Sequence, residues 1–340
     1  MSIMHRRERI EMPHGGGGRM TSALIRDVFH RHFANPLLDQ GHDATVMERP
    51  AGRIVMTTDA HIVSPLFFPG GDIGSLSVHG TLNDVAMAGA VPTALSAAFI
   101  IEEGFPLSDL TRIAASMGDA ARAAGVPIVT GDTKVVEKGK GDGLFITTAG
   151  IGVVPDGVDI GTHRVRPGQQ IILSGTIGDH GVAILAHRQN LSFETSIVSD
   201  SQALHHLVAQ IVATAPTIAM LRDPTRGGLS ATLNEIASDA GVGIHIDECK
   251  VPVKPEVASA CELLGLDPVH IANEGKLVAI CDPQDADAVL SVMRARPEGA
   301  DAAIIGEVRA DTAGLVEMQT AIGGRRVIDW LSGEQLPRIC

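Results

Sequence analysis

The chain has 340 residues, of which 44% are hydrophobic but only 3% aromatic, and its formal net charge is −13. That length supplies two domains of ordinary size, and with no Tyr and one Trp their cores must be built from Ala, Val, Ile and Leu. The acidic balance argues against nucleic acid and anionic membranes as main partners, and no apolar run reaches the roughly 18 residues of a membrane span.

Residues 1–35 read as a polar arm containing His14, Gly15, Gly16, Gly17 and Gly18. Consecutive glycines form no stable element alone, so the arm is either a linker or a segment that closes over a ligand. Arg6, Arg7 and Arg9 are followed by no apolar stretch, so no signal peptide is read and the chain is expected to be cytoplasmic. Residues 21–33 read as a short helix.

From 42 to 155 strands and helices alternate. Residues 53–58 form a strand ending at Asp59, 75–88 a helix, 93–101 a strand and 107–124 a long amphipathic helix. Residues 127–130 are a short strand running into Gly131 and Asp132, and 144–154 another strand. Residues 155–167, rich in Gly, Pro and Asp, mark the domain boundary. Beyond it come strands at 170–174, 244–247, 276–281 and 303–308, with helices near 182–189, 201–214, 228–240 and 255–264. Residues 325–340 show no periodicity and read as a mobile tail. The organisation is therefore an arm (1–35), an N-terminal domain (36–160), a C-terminal domain (161–324) and a tail (325–340), with an α/β (α+β) fold.

The tail ends on Cys340. A terminal thiol can enter a narrow pocket end-on, and thiolate is a soft nucleophile; the alternative is an incidental, frayed terminus. Cys249, Cys261 and Cys281 lie in apolar or mixed segments, and no CxxC spacing suggests zinc or a redox pair.

Several motifs carry possible chemistry. Asp43, Asp59, Asp84 and Asp132 stand near element ends in one domain, and hard Mg²⁺ takes oxygen ligands of this kind; each alone is more often a cap or turn residue, and it is the cluster that points to a metal. The loop from Ser64 through Gly70 and Gly71 opens the 75–88 helix, which contains Asn83, and offers backbone N–H groups to an anion. Arg226, Gly227 and Gly228 repeat the arrangement ahead of a second helix. Neither loop is a P-loop or Rossmann fingerprint. Glu274, after Asn273, is a general base or a surface carboxylate in a turn.

Together these segments resemble the hydrogenase maturation factor HypE family, of the PurM-like superfamily that includes aminoimidazole ribotide synthetase. The resemblance rests on Thr58–Asp59, Phe68 to Gly74, Gly80 to Asp84, Glu102 to Phe105, Thr130 to Val136, Asp223 to Leu229, Asn273 to Lys276 and the closing Pro337, Arg338, Ile339 and Cys340. It implies a two-domain PurM-like fold whose N-terminal domains pair their sheets across a homodimer. It implies ATP-dependent dehydration of an S-carboxamide on the terminal cysteine to S-cyanate, for the cyanide ligands of [NiFe] hydrogenase. HypF would be the carbamoyl donor and a HypC–HypD complex the acceptor. ATP and Mg²⁺ are the implied cofactors, with Asp59, Asp84 and Asp132 holding the metal and Asp43 behind them. Arg226, Gly227, Gly228, Gly70, Gly71, Gly131 and Asn83 would line the nucleotide. Lys134 and Glu274 would act near the carboxamide, either one as base. The rivals are a selenophosphate synthetase-like enzyme, disfavoured because the arm holds no thiol, and a non-catalytic scaffold. Fully extended, residues 331–340 span at most roughly 33–36 Å, enough to reach a cleft, with Ser332 and Gly333 as a hinge.

Overall fold

A computed structural model describes residues 8–40, 44–48, 50–191, 197–215, 217–331, 333 and 336–340. Asp43 and Ser332 lie outside the described residues. In the arm a 3-10 turn (Met12–Gly15) precedes α1 (Arg19–Leu24), a π-type segment (Ile25–His30) and α2 (Arg31–Phe33), the last three of which run on as one helix.

The N-terminal domain is a four-stranded sheet in the order β1-β6-β4-β5. Its strands are β1 (Arg53–His61), β4 (Val91–Glu102), β5 (Ile128–Val136) and β6 (Leu144–Val154), with the small β2 (Phe67–Phe68) and β3 (Gly71–Asp72) pair beside it. Two helices, α3 (Ile73–Met87) and α4 (Leu107–Ala124), cover one face. In α4 the buried residues Leu110, Ile113, Ala114, Met117 and Ala121 recur at three- and four-residue spacing, and left-handed Gly125 ends the helix. The other face is open. Ile54, Met56, Val91 and Ile100 stand 59%, 71%, 51% and 43% exposed there, an apolar surface that no described residue covers.

The C-terminal domain is a seven-stranded sheet in the order β13-β12-β9-β11-β7-β10-β8. These are β7 (Gln170–Leu173), β8 (Met220–Arg222), β9 (Gly243–Asp247), β10 (Val278–Cys281), β11 (Ala303–Arg309), β12 (Val316–Gln319) and β13 (Arg325–Val327). Strand alternation divides the core in two. Ile171, Leu173, Val278 and Ile280 pack with α7 (Gly228–Ala240) on one face. Ile172, Ala279 and Cys281 pack with α6 (His205–Thr214) and α9 (Pro283–Arg294) on the other. Helices α5 (Asp179–Arg188) and α8 (Pro255–Leu264) pack together to one side.

The domains share α3. Its Ala86 and Met87 enter the core containing Leu204 and Leu207. Its Asn83 donates to Gln202 O (3.0 Å) and accepts from Leu204 N (2.8 Å). Ile339 from the chain end is buried in the N-terminal core beside Ile184 and Ala272.

Three local readings change. Asp59 lies inside β1, not at its end, and Gly131 to Lys134 lie inside β5, because ladder pairing to neighbouring strands continues the extended backbone past the turn-forming residues. Arg325–Val327 is a strand against β12, beyond which Ser230 and Asn234 hold the Asp329 and Ile328 carbonyls (2.9 Å each). The final segment is thus anchored to the C-terminal domain well past residue 325.

Candidate active site at the chain terminus

The last four residues lie between the domains. They run antiparallel to the segment after β1: Ile62 N donates to the Cys340 main-chain oxygen and Ser64 N to Arg338 O, both at 3.1 Å. Arg188, the last residue of α5, donates to Pro337 O (2.7 Å), Arg338 O (2.8 Å) and Ser64 O (2.8 Å). His180 Nε2 lies 2.9 Å from Ile339 O. A carbonyl only accepts, so Nε2 carries the proton and Nδ1 accepts from the Ser199 hydroxyl at 2.8 Å. Burial holds His180 below its ordinary pKa, which keeps it in this neutral form. The Arg338 side chain turns outward, pairing with Asp142 and donating to Ile62 O (3.1 Å).

The Cys340 side chain is thereby presented to Glu274. Burial pushes its thiol well above the usual range, Glu274 and Asp59 add to this, and Arg226 opposes it. The resting group is a thiol. Glu274 is itself buried, with Oε1 lacking any hydrogen-bond partner among the described residues. Burial raises its pKa well above that of an ordinary carboxyl, helped by Asp200, Asp223, Asp59 and Asp84. Its backbone is fixed by Asp200 Oδ1, which accepts from Glu274 N at 3.1 Å, while Lys276 Nζ stands 3.5 Å from the other Asp200 oxygen.

Beside this pair lies an acidic groove of about 490 Å³ lined by Thr57, Asp84, Asp223, Thr225, Arg226 and Thr232. Burial raises Asp84 to about 6, with Asp59 contributing, although the Thr57 hydroxyl donates to it at 3.0 Å. Burial and then Asp84 raise Asp223 to about 7. These carboxyls repel one another in a poorly solvated place, the electrostatic setting that a cation relieves. Helix α7 opens onto the groove at Gly228 with no side chain capping its N-terminus. Gly227 and Gly228 have φ of +77° and +63°.

The predicted residues divide. Cys340, Glu274, Asp59, Asp84, Arg226, Gly227 and Gly228 belong to this cleft. Asp132 and Lys134 do not: they form an exposed pair 2.7 Å apart on β5, at the opposite edge of the sheet from β1. Three strand spacings, about 14 Å, separate them from Asp59. Accordingly, among the described residues no three His, Cys, Asp or Glu side chains converge on one metal position, and the trio Asp59, Asp84 and Asp132 is not assembled within one protomer. Asn83 has its amide spent on Gln202 and Leu204, so it braces the domains instead of facing a ligand. The α3 N-terminus beside Gly70 and Gly71 is capped by the Asp72 carboxylate, which accepts from Gly74 N (2.8 Å) and Ser75 N (3.1 Å), so no anion is invited there. Gly131 serves packing, since a Cβ would come within 2.2 Å of Ala97 O.

Lys134 and Asp132 instead border a second cavity of about 470 Å³. Phe29, Phe33, Phe99 and Ile128 give it an apolar floor, and Gly15, Gly17 and Thr21 of the arm form a wall. Sequence reasoning missed Arg188, His180 and Asp200. None sits in a motif, and their partners are up to 159 residues away. Asp223 was visible as the first residue of the Arg226 loop.

Comparison with known proteins follows this geometry. Residues 41–154 match the family described as AIR synthase related protein, N-terminal domain, and residues 166–318 match its C-terminal domain. The carbamoyl dehydratase HypE of Cupriavidus necator is 64% identical over 333 residues, 98% of this chain and 95% of that protein. A hydrogenase maturation protein HypE crystallised with ATP matches with a TM-score of 0.94 at 49% identity, over 97% of this chain and 99% of that one. A chain from a HypE–HypF complex matches with a TM-score of 0.80 at 48% identity, over 91% and 100%. The two-domain PurM-like α/β fold expected from the sequence is the fold found.

Proposed function

The chain belongs to the HypE carbamoyl dehydratase family, and we propose that it dehydrates an S-carboxamide carried on its own Cys340 to an S-cyanate. The observation that carries this reading is the seating of the terminal segment between the domains by main-chain bonds to Ile62, Ser64, Arg188 and His180, which buries the thiol where the buried Glu274 raises its pKa. An amide oxygen is a poor leaving group. ATP supplies the phosphoryl group that lets this oxygen depart as phosphate, so S–C(=O)NH₂ and ATP become S–C≡N, ADP and phosphate. The chain must position the tail, neutralise phosphate charge and accept two N–H protons.

Glu274 is the proton acceptor in this scheme. A carboxylate whose pKa is raised by burial and like charges is a stronger base once ionised. Lys134 is not within reach in the same protomer, which leaves Glu274 as the base and Lys134 as a charged phosphate contact. Arg226 and the uncapped α7 N-terminus face the groove where phosphates would lie. Mg²⁺ fits the same groove, because its donors are carboxylate oxygens held at raised pKa. Asp84 and Asp223, which line the groove, would hold it, with Asp59 adding negative charge from beside them, and it would neutralise the phosphates. A relative crystallised with ATP supports nucleotide use.

A homodimer reconciles the divided site. The open apolar face of Ile54, Met56, Val91 and Ile100 needs cover, and among the described residues no strand continues the sheet beyond β1 or β5, although Gly15, Asn35 and Thr45 pack along β5. Joining these sheets across a twofold axis would carry Asp132, Lys134 and the apolar cavity of one protomer to the Asp59–Asp84 groove of the other. The HypE–HypF complex of a relative supports a HypF-type carbamoyl donor. A HypC–HypD complex would take the cyano group onward to the hydrogenase iron, in the cytoplasm. Among the described residues no helix is long and apolar enough to cross a membrane.

The test is Cys340→Ser, incubated with donor and ATP. It should take up no stable carbamoyl group yet bind ATP like the parent. Thiocyanate formation by this variant would sink the reading.

A further inference from the structure

The terminal segment is held by its main chain. Every carbonyl from Pro337 to Cys340 accepts a hydrogen bond, from Arg188, Ser64 N, His180 or Ile62 N. None of these bonds involves the thiol. A tail bearing a free thiol, a carboxamide or a cyanate therefore presents the same carbonyls to the same donors. Leu336 and Ile339 add apolar contacts on either side.

Arg188 differs from the other donors. Its guanidinium joins two successive tail carbonyls to Ser64 O on the opposite wall, so one planar side chain bridges both sides of the groove. A Lys ammonium cannot reproduce that fork. Arg188 is also the last residue of α5, where the helix dipole favours a cation. The other donors to the tail carbonyls, Ile62 N, Ser64 N and His180, are neutral, and charge-assisted bonds are the stronger kind; the Arg338 guanidinium makes a separate tie from the tail side, to Ile62 O and Asp142.

We propose that Arg188 is the clamp that sets the balance between inserted and released tail. It is a positioning residue: its bonds go to carbonyls at 337 and 338, not to the reacting sulfur. The proposal rests on the reading that the tail must leave the cleft to be loaded and enter it to react.

The experiment uses the full-length protein with Cys249→Ser, since Cys249 is exposed whereas Cys261 and Cys281 are buried. Alkylation of Cys340 by iodoacetamide is followed by intact mass. Only the released tail reacts, so the rate reports the released fraction. Arg188→Gln should speed alkylation about tenfold or more, the factor expected for losing even one of its two charge-assisted bonds to the tail, and Arg188→Lys should fall between. In the same variants carbamoyl uptake should be as fast as in the parent or faster, while dehydration slows. A general packing defect would slow both. An unchanged alkylation rate in folded Arg188→Gln overturns the clamp; should that variant fail to fold, an unchanged rate in Arg188→Lys does so. Alkylation needs neither ATP nor donor, so the clamp is decided separately from the dehydratase reading.

Discussion

Replacing Asp84 with Asn should stabilise the unliganded protein and abolish its response to Mg-ATP. Burial and Asp59 displace the Asp84 pKa from 3.8 to about 6. At 1.36 kcal/mol per pH unit this is about 3 kcal/mol of destabilisation at pH 8. Solvent screening at a partly exposed carboxyl reduces it to about 1–2 kcal/mol. Asn keeps an oxygen to accept the Thr57 hydroxyl, so little is lost in exchange. The sign follows from the raised pKa. The penalty is absent well below pH 4, where folded and unfolded forms both bind the proton; it grows between about 4 and 6 and is constant above. Asp84→Asn should therefore raise the midpoint of thermal unfolding by ~1–3 °C at pH 8, with the gain shrinking toward pH 4.5. Differential scanning fluorimetry with and without Mg-ATP reads both effects. A variant less stable than the parent at pH 8, or one still stabilised by Mg-ATP, refutes the reasoning.

Glu274→Gln should leave carbamoyl uptake intact and slow dehydration by about 10²–10⁴. Removing that carboxyl should also lower the Cys340 thiol pKa, seen as a leftward shift of the ultraviolet thiolate absorbance against pH, taken as the difference from Cys340→Ser; a titration unmoved by the substitution contradicts the proximity of the two groups. Gly228→Ala should cost about 2–4 kcal/mol in denaturant unfolding, because φ is +63° and the new Cβ would come within 2.5 Å of Ile271 O. Gly241→Ala, at φ +66° with open space around it, should cost only about 1 kcal/mol; equal losses at the two positions would show that the close approach is immaterial.

Elements with many repeats of their period were legible in the sequence. Residues 107–124 and 144–154 match α4 and β6 because a long amphipathic stripe and an eleven-residue strand leave little room for another reading. Strands β8, β12 and β13, at three or four residues, are too short to display alternation. Helix α9 went unread because its buried stripe is only Ala286, Val289 and Met293. In the site, Cys340, Glu274, Asp59 and Asp84 could be named from motifs. What the sequence could not convey is strand order. Asp59 and Asp132 look equivalent in one dimension, yet β6 and β4 lie between their strands. Asp72, in the middle of the Gly70–Gly74 loop, satisfies the helix end that the loop seemed to offer to a ligand. Arg188 and His180 acquire a role only when the chain end folds back on α5, a contact no local pattern encodes.

The central claim is that the chain's last residue is its substrate. Intact mass of the wild-type protein, incubated with carbamoyl donor and carbamoyl phosphate, should increase by one carbamoyl group. On addition of Mg-ATP it should then fall by one water, with peptide mapping placing both changes on Cys340. A carbamoyl group that never appears at Cys340, or one that persists there through ATP hydrolysis, would contradict the account.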